Sequence, residues 1–550
     1  MDCADDDDDE KDTLSKFILC VLRTQSGKTF QAIQKIKTEL EQDKYIGRSL
    51  HVIFTMNTLL NNKQFAKRLE TIEEKYGKGS ICIFSSKCDL PYTHVTDKLK
   101  LQGLCSSKET CPRVVVMCSN KRRYTDGVDF LKHLQDKLND KTTYIFRVFA
   151  YYDELHEYIN KPLREQIKEI HDLDIVKGIL ALTATPDKIF EQEGFWSEIR
   201  LINLDILNEI DYIGFKDMAF YCIDDFFEKK YIRPSRFNYD ELDRQTIGFI
   251  QHVLKKHPDI LNDGTITFIP AHKRRIGHEQ VRRIIFSMKP NAVVIVINGK
   301  EKCLQYNDKN GNTKTIQLIS DNSKEVCEII SDIITLHKLE NRPIVITGLL
   351  CVGMGQTLSH HTIGSFTSAI FSHLDLTNDE IYQLFGRITG RMKYWEKYVQ
   401  TNVYCPKTIM ERCKIMEICS LNMTDKHNGD CVTQTDYRSP MYETEEGESA
   451  IENLRDKKSK KSIVRMDDKD KAIATFKSQK RAIEFANDIL GISLKIRKSS
   501  LATKELLVHG ENPTRKYILS RMWGINKDTR ARMVPIINGK WCVYWRPSLF

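Results

Sequence analysis

The 550-residue sequence contains no apolar run approaching the roughly 20 residues needed to span a bilayer, so a membrane role has no support in it. Its first residues, MDCADDDDDEKD, have neither the basic start nor the apolar centre of a secretory signal, and read as a solvated acidic tail. The sixteen cysteines include no C-x-x-C pair. With no signal segment either, this predicts reduced thiols inside a cell. Cys82, Cys88, Cys105, Cys111 and Cys118 come nearest to a cluster, but five or six intervening residues are loose for a metal site. Cys82 and Cys118 also fall within apolar strands, so buried free thiols are expected. No internal repeat is apparent. One further absence is local: Leu22 stands where a G-x-x-x-x-G-K-[ST] phosphate loop has its first glycine.

Hydrophobic content of 41% and charged content of 29% are those of an ordinary globular chain, long enough for two or three domains. Charge is distributed unevenly. Residues 451–550 hold 23 Lys+Arg against 10 Asp+Glu, an excess of 13 that leaves the first 450 residues at −4 when the whole chain is +9. A nearly neutral body with a basic C-terminal appendage predicts an anionic partner, DNA or RNA, for the appendage.

Apolar runs at 16–23, 49–54, 80–84, 113–118, 144–152 and 177–185 alternate with polar or helical segments, the pattern of a parallel α/β sheet. A second series follows at 265–270, 292–297, 342–348 and 401–406. The predicted organisation is an acidic tail (1–15), a first α/β domain (16–205), a connection (206–240), a second α/β domain (241–420), a polar linker (421–465) and a basic α+β module (466–550). In that module, SQKRAIEFANDILGI reads as an amphipathic helix, TRKYILSRMWGI as a shorter one, and 533–545 as a hairpin turning at Asn538-Gly539.

Two motifs carry chemistry. In LRTQSGKTFQAI a strand runs into a turn and then a helix, which aims backbone N–H groups and a helix N-terminus at an anion. Lys28 is then placed for the β- and γ-phosphates of a nucleotide and the Thr29 hydroxyl for Mg²⁺. Leu22 is compatible with a shorter core of the form T-G-x-G-K-T, read here as Thr24-Gln25-Ser26-Gly27-Lys28-Thr29. Gln25 occupies a position that favours glycine, and a different local turn is expected there. The second motif is VFAYYDELHEY, a strand ending in Asp153-Glu154. Asp153 is suited to the Mg²⁺ shell and Glu154 to orienting and deprotonating an attacking water. An acidic pair alone is as consistent with a solvated strand end; after a phosphate loop it acquires a partner.

Residues 16–406 resemble the superfamily 2 helicases, specifically the DExH branch, in a succession of motifs in that family's order. RTQSGKT is similar to motif I, FTMNTLLNNKQFAKRL to Ia, DELH (153–156) to II, and LTATP (182–186) to III. ITFIPAHKR is similar to motif IV, VITGLLCVGMGQTL (345–358) to V, and QLFGRITGR (383–391) to VI. The resemblance implies two tandem RecA-like parallel-sheet domains that close on Mg·ATP, and a helicase or translocase driven by nucleic-acid-stimulated ATP hydrolysis. It places Gln383, Arg387 and Arg391 toward ATP from the second domain, with Gly355 also against the nucleotide, and has Thr183 and Thr185 couple hydrolysis to strand binding. It puts nucleic acid across both domain tops, at Thr55, Met56, Asn57, Ser119 and Asn120 on the first and at Thr347, Gly348 and AHKRR (271–275) on the second. DNA is favoured over RNA because TATP recurs in DNA-directed members, and motifs V and VI have the character of a large DNA virus. The expected location is cytoplasm or nucleus, or a virion. An RNA helicase and a non-hydrolysing nucleic-acid scaffold are the alternatives.

The sequence departs from the family at two places. Ile388-Thr389 are two residues where motif VI usually has one, so Arg387 and Arg391 are both candidates for the γ-phosphate contact. Motif V lacks the usual acidic residue after its first glycine. In the tail, Trp523, Trp541 and Trp545, interleaved with Lys527, Arg530, Arg532, Lys540 and Arg546, are placed to stack bases; equally, Trp541, Val543 and Trp545 alternate as one face of a small core.

Overall fold

The structure is a computed structural model. It describes residues 16–46, 48–55, 65–86, 92–159, 161–192, 196, 198–202, 209–226, 239–272, 274–318, 324–349, 357–373, 375–443, 472–476, 482–484, 531–535 and 541–545. The chain divides into a unit Met1–Ala450 and a unit Ile451–Phe550.

In the larger unit, β1 (Phe17–Val21), β2 (Arg48–Thr55), β3 (Ile81–Phe84), β4 (Thr93–Val95), β5 (Val114–Cys118), β6 (Ile145–Asp153), β7 (Val176–Thr183) and β8 (Arg200–Leu201) form one wholly parallel sheet. Its order is β4-β3-β5-β2-β6-β7-β1-β8. Val52, Phe54, Val114, Val116, Ala181 and Leu182 are all buried. Strands covered by helices on both faces require such continuous apolar runs, which is why the sequence declared them. β7 separates β1 from β6, so the loop after β1 and the acids ending β6 stand two strand spacings apart, about 10 Å. Ligands of parallel sheets bind at such carboxyl ends.

One core residue of this sheet titrates. The His51 ring is fully buried, with Nδ1 3.0 Å from Tyr151 Oη and Nε2 3.0 Å from Ser49 Oγ. Burial, reinforced by the charges of Arg147, Lys35 and Arg113, pulls its pKa from 6.5 down to about 3. Between those values the unfolded chain binds a proton that the folded chain refuses, so stability falls as pH drops below 6.5. The expected slope from this ring is about 1.4 kcal/mol per pH unit. Denaturant midpoints measured from pH 7 to pH 4 should lose that slope in His51→Gln.

After β9 (Tyr212–Ile213), the second sheet comprises β10 (Ala219–Cys222), β11 (Ile266–Phe268), β12 (Val293–Ile297), β13 (Lys302–Asn307), β14 (Thr313–Gln317), β15 (Ile344–Thr347), β16 (Ser368–Ile370) and, after β17 (Gly390–Arg391), β18 (Asn402–Cys405). Its order is β10-β18-β16-β11-β15-β12-β13-β14, parallel except along β12-β13-β14. The architecture is therefore the expected one, α/β with two tandem sheets that are wholly or mainly parallel. The β13-β14 hairpin was not foreseen, nor were the short β10 and β16. β14 is an exposed edge of sequence TKTIQ whose lysine and threonines suit a water-facing border.

Two boundaries differ from the sequence reading. The connection at 206–240 contributes β9 and β10, and β9 pairs antiparallel with β17 at the end of the GRITGR motif. The linker expected from 421 starts inside a helix, Lys407–Lys426, and a second helix, Gln434–Glu443, follows it. Both belong to the larger unit. Within the expected linker the first helix buries Asn422 and Thr424, so part of what reads as linker composition is turned inward.

In the smaller unit, β19 (Ala472–Phe476), β20 (Ala531–Pro535) and β21 (Trp541–Trp545) form an antiparallel sheet of order β19-β21-β20. The β20-β21 pairing is the expected hairpin; its turn, most of the first expected helix and all of the second lie outside the described residues. Val543 is buried. Among the described residues, no helix is long and apolar enough to cross a membrane.

Candidate active site

The loop after β1 is built around two left-handed residues. Leu22 extends β1, donating its N–H to Thr183 O at 3.1 Å, and is buried in the core. It occupies a strand position, where no glycine is required. Gln25 (φ 56°) and Gly27 (φ 100°) then turn the chain into the helix Lys28–Ile46. The turn expected to differ at Gln25 is thus made with glycine-like torsions on a residue with a Cβ, at a cost of about 1–2 kcal/mol. Ser26 Oγ donates back to Arg23 O at 2.7 Å.

At the end of β6, Glu154 is also left-handed (φ 54°, ψ 50°), held there by its N–H on Leu182 O at 2.9 Å. Lys28 Nζ lies 3.4 Å from Glu154 Oε1 and 3.4 Å from Arg23 O. Glu154 Oε2 is buried without a hydrogen-bond partner among the described residues. Burial, the Glu154 charge adding to it, pushes the Asp153 carboxyl up to about 7, against the pull of Lys28, Arg68 and His156. His156 Nδ1 is 2.7 Å from Thr183 Oγ1, and the same Thr183 oxygen accepts the Thr185 N–H at 2.9 Å. The two threonines therefore connect the acidic segment to the end of β7.

The second sheet supplies the facing wall. A capping box at Thr377 starts the helix Asn378–Phe385, which carries Gln383. A single turn, Gly386–Ile388, then places Arg387. Arg387 is buried, and burial pulls its guanidinium down to about 10 while the Glu154 charge opposes. Gln383 Nε2 is a buried donor without a partner among the described residues. Lys28, Thr29, Asp153, Glu154, Gln383 and Arg387 line one cavity of about 570 Å³, as do Thr24, Gln25, Gly27 and Arg391. Ser26 does not line it. Gly355, Met56 and Asn57 lie outside the described residues.

The walls touch where the motif has its additional residue. Thr389 Oγ1 lies 3.1 Å from Thr24 Oγ1 and 3.3 Å from Thr24 O, and Tyr212 donates to Thr24 O at 2.7 Å. Arg23 stacks its guanidinium on the Tyr212 ring at 3.8 Å. Arg391 turns outward to Asp211, at 3.0 Å. Sequence reasoning missed Arg23, Thr389 and Tyr212; the doubled spacer in GRITGR was the one visible signal. A Cβ on Gly386 would sit 2.6 Å from Thr24 Cβ, an overlap that forces the walls apart.

Of the nucleic-acid candidates, Thr55 and Ser119 are brought together at the carboxyl edge of the first sheet by a 2.8 Å Ser119 N–H to Thr55 O bond. Asn120 is engaged as an N-cap, accepting from the Arg123 N–H at 3.1 Å. Thr347 ends β15, buried, with Gly348 after it. Trp541 and Trp545 belong to the smaller unit, and Trp523 lies outside the described residues. Cys82, Cys105, Cys111 and Cys118 are buried and form no disulfide among the described residues; Cys88 lies outside the described residues.

No family model and no curated protein matches the chain. Among solved structures, the chain is similar to the DEAD-box helicase Mss116 bound to ssRNA and UDP-BeF, with 12% identity and a TM-score of 0.42 over 94% of this chain and 90% of that one. It is similar to the E. coli DExH-box NTPase HrpB, with 10% identity and a TM-score of 0.38 over 82% of this chain and 54% of that one. S. cerevisiae Dbp5 bound to Gle1 and IP6 gives 8% identity and a TM-score of 0.37 over 79% and 88%. Likenesses of this strength carry no functional weight, and the activity of the chain has to be read from its cavity.

Proposed function

We propose that the chain is an ATP-driven superfamily 2 motor of the DExH kind that moves on or unwinds nucleic acid. The observation that carries this is the cavity shared by Lys28, Asp153 and Glu154 on one wall and Gln383 and Arg387 on the other. Its residues fit Mg·ATP. A buried lysine, an orphaned amide donor at Gln383 and a buried arginine answer phosphate oxygens; a carboxyl raised by burial beside the Thr29 hydroxyl answers a divalent cation. ATP supplies a transferable γ-phosphoryl group whose charge Mg²⁺ helps to neutralise.

The protein's part is positioning and charge. The loop N–H groups at the start of the helix Lys28–Ile46 and the Lys28 ammonium hold phosphate oxygens. Thr29 and Asp153 would hold the cation. Glu154, kept by its left-handed backbone against the cavity, accepts the proton of the attacking water on a carboxylate oxygen. Arg387 meets charge developing on the γ-phosphate from the facing wall. Thr55, Ser119 and Thr347, at the carboxyl ends of their strands, are the strand-contact candidates, and the basic unit 451–550 adds phosphate contacts. DNA is the preferred strand on the sequence resemblance; assays on DNA and RNA decide it.

ATP hydrolysis with and without each nucleic acid, wild type against Lys28→Ala, tests the proposal. Wild type should exceed the variant by at least about 10²-fold, since the lysine answers charge where water is excluded. Turnover no greater than that of Lys28→Ala would leave a non-hydrolysing scaffold. Strand displacement on forked DNA and RNA then separates unwinding from remodelling.

A further inference from the structure

We infer that the helical pair Lys407–Lys426 and Gln434–Glu443 positions the hydrolytic site, with Ser420, Thr424 and Arg438 tying the ends of β1 and β7 to the helix that carries Gln383. The inference rests on the proposed ATPase function and adds residues that no motif contains.

Helix Lys407–Lys426 buries polar residues along its length: Arg412, Glu417, Ser420, Asn422 and Thr424. Buried polar groups need partners, and each partner here fixes a different element. At the N-terminal end, Arg412 Nε donates to Asn378 Oδ1 at 2.7 Å, and Arg412 also donates to Leu376 O, which grips the start of the Gln383 helix. Two turns later, Ser420 Oγ lies 3.1 Å from Ala184 O, immediately after β7. One turn beyond, Thr424 Oγ1 lies 3.3 Å from Val21 O, the last residue of β1 before the phosphate loop. Both hydroxyls also face the carbonyl one turn back, Met416 O at 3.1 Å and Ser420 O at 3.0 Å, so each proton is shared between its own helix and a strand end.

The second helix adds an ion pair. Arg438 Nε donates to Asp187 Oδ1 at 2.7 Å, with both side chains largely buried, and Gln434 Nε2 reaches the same oxygen at 3.1 Å. Asp187 opens the turn after Thr185-Pro186. Asn422 Nδ2 joins the two helices through Asp436 O at 3.3 Å and Ser439 Oγ at 3.2 Å. The Ala184 segment is thus held from both sides, by His156 through Thr183 and by Ser420 through a carbonyl. Val21 and Ala184 accept these bonds at strand ends, where the sheet ladder stops and a carbonyl needs another donor. These are positioning residues: neither they nor the groups they bond line the cavity, and they act through the segments that lead to it, Val21 into the phosphate loop, Ala184 beside Thr183 and Asn378 at the start of the Gln383 helix.

The test uses the full chain below each variant's unfolding midpoint, with two readouts. The first is ATP turnover, separated into kcat and KM. The second is hydrogen exchange at the amides of Leu22, Arg23, Ala184 and Thr185. Ser420→Ala with Thr424→Val should lower kcat about tenfold, a fraction of the penalty for 1 Å of misplacement, while KM stays within about twofold and exchange at those amides rises. Thr424→Ser and Arg438→Lys should stay nearer wild type than Thr424→Val and Arg438→Met, because each keeps a donor. Wild-type kcat and wild-type exchange in the double variant overturn the inference, as does a fall in melting temperature with kcat unmoved. If wild type hydrolyses no more ATP than Lys28→Ala, the motor reading falls, and exchange alone decides the positioning: raised exchange upholds it and unchanged exchange ends it.

Discussion

Arg387→Ala is expected to lower ATP turnover by about 10³–10⁵-fold, and Arg391→Ala by less than about tenfold. Both arginines were candidates on sequence, because the doubled spacer in GRITGR shifts the register between them. The structure separates them by environment. Arg387 is 4% exposed, lines the cavity and feels the Glu154 charge. Its guanidinium, lowered only to about 10, keeps its charge at neutral pH. Arg391 borders the same cavity, but its side chain is 37% exposed and pairs with Asp211, an interaction of the surface kind that is worth about 0–1 kcal/mol. Single-turnover hydrolysis at saturating ATP makes the comparison, and Arg387→Lys should rescue poorly because an ammonium lacks the planar fork. Equal losses in the two alanine variants, or a larger loss at Arg391, would reassign the contact.

Glu154→Gln is expected to cost about 10²–10⁴-fold in turnover while nucleotide binding is retained. The amide preserves the shape and the left-handed backbone but cannot accept the proton of water. It also removes the ion pair to Lys28 at 3.4 Å, which frees that ammonium for phosphate, so affinity for ATP should hold or rise. Equilibrium binding of a fluorescent ATP analogue beside phosphate release distinguishes the two effects. Hydrolysis at wild-type rate in Glu154→Gln would take the proton acceptor elsewhere.

The parts of the site legible in the sequence were those with strong local rules. A buried strand followed by SGKT announces itself because apolar runs have few other uses, and a strand ending in DELH gains its meaning from following that loop in one sheet. Arg387 was visible through the resemblance of QLFGRITGR to motif VI, together with Arg391. What escaped notice was polar and buried. Tyr212 and Thr389 bridge the walls from segments whose composition read as connection and spacer. Arg412, Ser420 and Thr424 sit in or beside what composition marked as linker, since a polar residue hydrogen-bonded to a buried carbonyl has the same letter as one in water. The β13-β14 hairpin escaped because β14 is exposed and polar and β13 buries only Cys303 and Leu304, and β10 and β16 because three or four residues set no period. Leu22 was the reverse case: an apparent defect in the motif that proves to be an ordinary core strand residue.

The border of the first sheet has a consequence for how the chain is made. β8 is short, and beyond it the sheet is completed by residues 429–432: Leu201 N–H bonds Asp430 O at 2.9 Å, Gly429 N–H bonds Leu201 O at 2.9 Å, and Val432 N–H bonds Ile199 O at 2.9 Å. Those residues leave the ribosome about 230 positions after β8, roughly 10–45 s later at about 5–20 residues per second. Throughout that interval the nascent amino-terminal half exposes an unpaired strand margin, and it can be sealed only when the carboxyl-terminal half has been synthesised and has folded back onto it.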